Sequence, residues 1–355
     1  MEFPKTYLTA ILSKGNVTIR SKSFPRNLPA QSLVIRPYYM GICRADVKEV
    51  IGSTYAQQQI RPHLGHEFVG KVVFSGDNHA FKVGDAVTLN PNITRDRTTG
   101  FAEYLFINGD KDTLFNAVIK IPSDIPFDPP WMPEPFACAV HSFDKMLSNY
   151  GISDLVNKAV GIIGAGNAGI DFGLLSKYYG ADEVKLFNRG RMRLDFALEG
   201  GLFKEEELSE LKDFKNFKDC FDVVFTAPTA MDSGTLEAAR KMVIRGGGIH
   251  IYGGTLKGDR FLDTDVDIDA IRRNELRKKI RYKGKSFFIS GAYGCQKEEF
   301  GTAFTLFLMD KTLFPLQAMT SEVFELKDLP GVINSMASGE TDYPGKVIVK
   351  NTVEK

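Results

Sequence analysis

Three residue types in this chain of 355 residues carry metal chemistry: the thiol of Cys43, the imidazole of His66 and the carboxylate of Glu67. A thiolate, an imidazole and a carboxylate form a zinc-like ligand set. Three protein ligands leave the fourth position of a tetrahedral ion to water or substrate, which makes such a site catalytic rather than structural. Twenty-two residues separate Cys43 from His66, unlike the spacing of a zinc finger. Only the fold can bring the two together.

A second cluster, Gly164-Ala165-Gly166-Asn167-Ala168-Gly169, follows the apolar run Ala159 to Ile163 and precedes a predicted helix from Gly169 to Tyr179. In that context a GxGxxG sequence binds a dinucleotide. Gly164 allows the tight turn, Gly166 lets the backbone approach a pyrophosphate, and Gly169 allows close helix–strand packing, with the anion at the helix N-terminus. An NAD site places Asp or Glu about 20 residues further on, against the ribose diol. Here that place is held by Asn188, followed by Arg189, Arg191 and Arg193. A neutral amide beside guanidinium groups suits a 2′-phosphate better than a bare diol, so NADP(H) is expected over NAD(H). Thr226, at the end of a predicted strand from Asp222, is a further candidate cofactor contact.

The elements that must position these groups fall into two kinds. From residue 1 to about 125 the chain reads as short strands punctuated by Gly and Pro (32–39, 68–75, 85–90, 101–107 and 117–121), the pattern of an irregular β-barrel. A helix is predicted over 136–147. Strands at 159–163, 183–187, 222–226 and 248–252 then alternate with helices at 169–179 and 233–242, which indicates βαβ units on a parallel sheet. A strand at 286–290, a helix at 297–309 and a strand at 346–350 are too little for a third domain. The last segment is therefore expected to rejoin the first. This divides the chain into residues 1–147 with 291–355, and residues 148–290.

Composition narrows the function classes. Lys and Arg number 45 against 44 for Asp and Glu, so no global field points to nucleic acid or to an anionic membrane. No run of 18 apolar residues and no basic leader segment occurs, and the four scattered cysteines, Cys43, Cys138, Cys220 and Cys295, suit reduced thiols. A cytoplasmic protein is expected.

Taken in order, the motifs resemble those of the zinc-dependent medium-chain dehydrogenase/reductase family, the alcohol and polyol dehydrogenases. They are Gly41-Ile42-Cys43 with Asp46, Gly65-His66-Glu67 with Val69-Gly70, Val83-Gly84-Asp85, Gly100-Phe101-Ala102-Glu103-Tyr104, Glu134-Pro135 with Ala137 and His141, the glycine turn, Gly246-Gly247-Gly248 and Gly345-Lys346-Val347. The resemblance covers nearly the whole chain. It implies a GroES-like irregular β-barrel catalytic domain and a Rossmann domain with a doubly wound parallel sheet. It also implies one catalytic zinc per chain, held by Cys43, His66 and either Glu67 or Glu134, with water completing the shell. Asp46 is implied to orient the ligands, Arg44 to contact the cofactor pyrophosphate, and the segment Phe287 to Ala292 to pair two subunits in a homodimer or homotetramer.

The chain departs from the family in two further places besides Asn188. Ala45 lacks the hydroxyl that commonly starts a proton relay, and Lys48 stands where relatives have histidine. The proton must leave through Glu67, water, a substrate hydroxyl or Lys48. The stretch Asn90 to Thr99, NPNITRDRTT, has none of the cysteines that hold a structural zinc in many relatives, and its Arg95 and Arg97 are read as a solvated loop. The expected activity is reversible oxidation of a secondary alcohol in a polyol, cyclitol or sugar derivative, phosphorylated or not. Two other readings compete: a zinc-free quinone or enoyl reductase, against which the ligand set argues, and a non-catalytic dinucleotide-binding sensor or structural protein.

Overall fold

Residues 6–13 and 16–23 flank Lys14-Gly15, both of which adopt positive φ (50° and 74°). That backbone suits a two-residue hairpin turn. In the computed structural model, which describes residues 3–52, 64–77, 80–94 and 96–351, β1 (Thr6–Ser13) and β2 (Asn16–Ser23) pair antiparallel across it. Strand β3 (Ser32–Ile42) is buried along almost its whole length. Its register slips around Pro37, which has no N–H to give to a ladder. It leads directly into α1 (Arg44–Ile51), which Gly52 ends in the left-handed conformation.

Next come β4 (Glu67–Ser75), β5 (Ala86–Leu89), β6 (Leu105–Asn108), α2 (Lys111–Ala117), β7 (Val118–Lys120) and α3 (Pro133–Tyr150). The predicted strand at 101–107 begins only at Leu105. Ala102 makes an isolated bridge to Thr9, and the buried Phe101 fills the core.

The middle of the chain supplies β8 (Ala159–Ile163), α4 (Asn167–Tyr178), β9 (Glu183–Asn188), α5 (Met192–Glu199), β10 (Leu208–Glu210), β11 (Phe221–Thr226), α6 (Ser233–Met242), β12 (Val243–Ile251), α7 (Ile268–Arg273), β13 (Arg277–Tyr282) and β14 (Lys285–Gly291). They form a seven-stranded sheet in the order β10-β9-β8-β11-β12-β14-β13, parallel except for β13. The order reverses at β8 and β11, as in a doubly wound nucleotide-binding sheet. Phe187, Phe221, Phe261, Phe287 and Ile289 form its buried core.

One expectation is corrected here. Phe287 to Ala292 does not offer a free strand edge, because β14 lies between β12 and β13. The edge is β13, which the chain folds back onto β14.

Finally α8 (Lys297–Met309), β15 (Thr320–Glu325), α9 (Leu329–Ser338) and β16 (Lys346–Lys350) complete the chain. β16 inserts between β15 and β3, giving the sheet β15-β16-β3-β4-β5-β7, with β6 also paired to β3. Two compact units result. One comprises Met1–Pro135, Gln296–Met309 and Thr320–Lys355, and the other Phe136–Cys295 and Asp310–Met319. No described helix is long and apolar enough to cross a membrane.

Candidate active site

Cys43 sits at the junction of β3 and α1, with extended backbone (φ −88°, ψ 151°), and caps the helix. Its N–H donates to Asp46 Oδ2 (2.8 Å), and its Sγ accepts from the Ala45 N–H (3.5 Å). The other oxygen of Asp46 accepts from the Gly65 N–H (2.9 Å) and lies 3.6 Å from His66 Nδ1. Asp46 is buried. One carboxylate thus ties the Cys43 turn to the Gly65-His66 turn, which are distant in sequence. Gly65 has φ +68°, and a Cβ there would stand 2.6 Å from the Phe101 nitrogen, so glycine is required for this approach.

Glu67 opens β4 directly after His66. Ligand atoms of Cys43, His66 and Glu67 lie within 4.8 Å of one another. An ion with bonds of about 2.0–2.3 Å to S, N and O donors fits this set after adjustments of about 1 Å. Glu134, buried in the first turn of α3, is not part of this convergence.

Lys346, at the start of β16, donates from Nζ to Glu67 Oε2 (2.6 Å), and both side chains are buried. The bond crosses β3, where Gly41 pairs with both Glu67 and Ile348. A Cβ on Gly41 would stand 2.4 Å from Glu67 Oε2 and 2.9 Å from Met132 Cγ, so the missing side chain makes room for the ion pair.

These groups set one another's charge. Burial raises the Cys43 thiol, and Glu67 raises it further, against smaller pulls from His66 and Lys346. Burial alone would depress His66, but Asp46 and Cys43 outweigh it and hold the imidazole well above its ordinary value. Lys346 is likewise penalised by burial and raised on balance by Glu67 and Cys43, with Glu134 contributing. A divalent cation entering this pocket must displace protons from Cys43 and His66.

Residues around these ligands are used structurally. Arg44 pairs with Asp342 on the surface, and Lys48 is half-buried on α1. Arg97, read from sequence as a solvated loop residue, is buried and donates to the Gly65 carbonyl (3.1 Å) and the Thr98 carbonyl (3.0 Å). A lone arginine in a polar loop gives no sequence signal of this role. Arg95 lies outside the described residues.

In the other unit, β8 enters the glycine turn. Gly164 has φ +109°, and a Cβ there would meet the Ala227 carbonyl at 2.8 Å; a Cβ on Gly169 would stand 1.7 Å from the Gly164 carbonyl. Among the described residues, Gly166 has no neighbour within 4 Å of where a Cβ would stand, and it caps α4 without a side-chain bond. A helix N-terminus with its first N–H groups left in this way, here at Asn167 and Ala168, is the kind of place that can hold an anion.

Asn188 ends β9. Its Oδ1 accepts from the Ala165 N–H (3.3 Å) and its Nδ2 donates to the Gly190 carbonyl (2.9 Å), which ties it to the glycine turn. Arg189 is exposed and pairs with Asp232, the N-cap of α6. Arg191 pairs with Asp195 and Glu205, and Arg193 is half-buried in the first turn of α5. Thr226, at the end of β11, is buried, and its hydroxyl donates to the His250 carbonyl (3.3 Å).

A metal-ligand shelf in a barrel-like β unit, in a chain that also carries a doubly wound sheet with a pyrophosphate turn, defines a nicotinamide-dependent oxidoreductase of the zinc-type alcohol dehydrogenase class. Comparison with known proteins agrees. The alcohol dehydrogenase GroES-like domain matches residues 29–115. An L-threonine 3-dehydrogenase of Deinococcus deserti is 27% identical over 368 residues, covering 95% of this chain and 96% of its own. Among solved structures, a zinc-binding dehydrogenase from Sinorhizobium meliloti bound to NADP superposes with a TM-score of 0.68 at 20% identity, covering 97% of this chain and 99% of its own. Galactitol-1-phosphate dehydrogenase from Escherichia coli gives 0.67 at 18% identity, covering 97% of this chain and 99% of its own. These two structural matches speak to the fold. Over nearly its whole length the chain is similar to dehydrogenases of the medium-chain dehydrogenase/reductase type, and it carries their GroES-like domain.

Proposed function

We propose that this enzyme reversibly oxidises a secondary alcohol of a polyhydroxylated substrate, a polyol, cyclitol or sugar derivative with or without a phosphate, using NADP(H). The convergence of Cys43, His66 and Glu67 within 4.8 Å carries this reading. Zinc, when bound, supplies Lewis-acid activation of the hydroxyl, and the nicotinamide takes or gives the hydride. Cys43 and His66 hold the metal as thiolate and neutral imidazole. Glu67 is divided between Lys346, at Oε2, and the metal, so Lys346 sets how far the carboxylate advances. Glu134 supports Lys346 and serves as the alternative carboxylate.

Asp46 positions both ligand-bearing turns. The glycine turn with Asn167 and Ala168 binds the pyrophosphate, joined by Arg44 once Asp342 is displaced. Asn188, Arg189 and Arg193 favour the 2′-phosphate, and Lys48 stands on α1 as a proton acceptor in the absence of a hydroxyl at Ala45. In this reading residues 1–147 and 291–355 form the catalytic domain, residues 148–290 the dinucleotide domain, and the cytoplasmic protein assembles as a homodimer or homotetramer.

A second reading, oxidation of a β-hydroxy amino acid, is favoured by the relatives named L-threonine 3-dehydrogenase. Zinc content by mass spectrometry, together with turnover on a panel of polyols, polyol phosphates and L-threonine with each cofactor, separates the two. About one zinc per chain, lost in Cys43→Ser along with turnover, is expected. Unchanged zinc and turnover in that variant would sink both readings. For the cofactor, Asn188→Asp with Arg189→Gln should lower NADP affinity relative to NAD; an unchanged ratio would mean that these side chains do not read the 2′-phosphate.

A further inference from the structure

Two of the guanidinium groups that follow β9 are engaged in different ways. Arg191 lies between Asp195, on α5, and Glu205. Arg189 instead reaches Asp232, the N-cap of α6, and among the described residues no other carboxylate pairs with it. With the strands ordered β9-β8-β11, this pair spans the carboxyl end of β8, where the glycine turn begins. The three segments are joined there by short bonds. Asn188 Oδ1 accepts from the Ala165 N–H (3.3 Å), and the Ala227 N–H donates to the Ile163 carbonyl (2.8 Å).

The two partners are held unequally. Asp232 Oδ1 accepts from the Thr235 N–H (2.7 Å), which anchors the carboxylate to the first turn of α6. Partial burial pushes this carboxyl up, yet the Thr235 N–H and Arg189 outweigh it and hold it below its ordinary value, so it is charged at neutral pH. The Arg189 side chain is 65% exposed and that of Asp232 44%. An ion pair so exposed contributes little, and the arginine is the partner free to turn away.

A 2′-phosphate carries about 1.5–2 negative charges near neutral pH and three acceptor oxygens, and a guanidinium grips it through two parallel bonds. A ribose diol offers neither. Building on the reading of this end of the sheet as an NADP site, we infer that Asp232 competes with the 2′-phosphate for Arg189, and so sets how strongly the phosphorylated cofactor is preferred. A bare diol leaves the Arg189–Asp232 pair closed, whereas the phosphate draws the guanidinium away from α6. Asp232 is thus a positioning residue that acts on the cofactor through Arg189.

The probes are adenosine 2′,5′-bisphosphate and adenosine 5′-monophosphate, titrated by calorimetry into the full-length protein, so that neither zinc nor turnover enters the readout. The parent should bind the bisphosphate more tightly. Asp232→Asn keeps an acceptor for the Thr235 N–H. It should raise affinity for the bisphosphate about threefold, the scale of one exposed ion pair, and leave the monophosphate unchanged. In an Arg189→Gln background the same substitution should alter neither affinity, because the group competed for is gone.

A gain that persists in the Arg189→Gln background would overturn the inference, since Asp232 would then merely repel phosphate through space. So would a preference of the parent for the bisphosphate that Arg189→Gln abolishes and Asp232→Asn leaves unchanged; the NADP reading would survive that result. Equal affinity for the two nucleotides in both the parent and Asp232→Asn would overturn the NADP reading itself, and the inference with it.

Discussion

Lowering the pH from 7.5 to 5.5 should loosen the doubly wound unit through one residue, His250. This side chain is fully buried on β12, with Nδ1 2.8 Å from Ser290 Oγ and Nε2 2.9 Å from Ser142 Oγ; Ser290 in turn contacts Tyr150 Oη at 2.8 Å. Neutral imidazole serves these partners as one donor and one acceptor. Burial pushes its pKa down from 6.5 to about 3, with a smaller opposing pull from Glu275 and a further push from His141. Between those values the unfolded unit binds a proton that the folded unit does not, so stability rises with pH and falls as pH drops below about 6.5. At pH 5.5 the loss is about 1.4 kcal/mol, or tenfold in the opening equilibrium, and it approaches 3 kcal/mol near pH 4.5. The carboxylates whose pKa is lowered in this unit, Asp232, Glu237, Asp263, Glu275 and Asp310, titrate below this window.

A global melt would blur the effect, because His66 acts with the opposite sign. Its raised pKa stabilises the metal-free barrel unit at low pH, and that contribution is lost as pH rises through the raised value. The single Trp131 reports on that unit as well. The assay is therefore hydrogen exchange by mass spectrometry on β12 and β14, corrected for intrinsic rates, in the parent and in His250→Gln. The variant should lose about 1–3 kcal/mol at pH 7.5, from imperfectly replaced hydrogen bonds, and lose the slope between pH 7.5 and 5.5. Equal protection of the parent at both pH values, or the same slope in the variant, would refute the reasoning.

Other predictions concern the metal shelf and the glycine turn. Lys346→Met leaves Glu67 buried without its cation and should destabilise the metal-free barrel unit by about 3–5 kcal/mol in urea titrations followed by Trp131 fluorescence, with partial recovery on adding zinc. Gly41→Ala drives a methyl group onto Glu67 and Met132; zinc affinity measured against a chelator should fall, while affinity for the dinucleotide is unchanged. Gly169→Ala, with a Cβ 1.7 Å from a carbonyl oxygen, should weaken dinucleotide binding by calorimetry and leave zinc content intact. Zinc affinity of the parent should drop with falling pH, because Cys43 and His66 must both give up protons, and calorimetry in buffers of different ionisation enthalpy will count them.

The glycine turn was legible because its chemistry is local: strand, turn and helix follow one another within 20 residues, and Gly169 answers a contact with Gly164 five residues before it. Cys43, His66 and Glu67 were legible as residue types, and the order of motifs implied their meeting, but the devices that bring them together span the chain. Asp46 joins segments 19 residues apart, and Lys346 reaches Glu67 across 279 residues. Such pairs are written in strand register, which a single sequence does not display. The same limit explains β14, whose apolar run looked like a pairing segment, whereas the basic strand before it is the true edge. It explains Arg97 too, whose burial follows from the close approach of Gly65 to Gly100-Phe101.

The order in which the chain is synthesised bears directly on the shelf. Every residue of the doubly wound unit has been polymerised by Met319, whereas β16 begins at Lys346. Until then the edge of β3 at Tyr39 to Ile42, the stretch that delivers Cys43, has no partner on that side, and Glu67 faces the gap without its ammonium. Translation therefore supplies every strand of the doubly wound sheet before the strand that closes the ligand-bearing edge of β3. A chain cut short before residue 346 would hold all seven strands of that sheet, yet leave Glu67 without the ammonium that faces it.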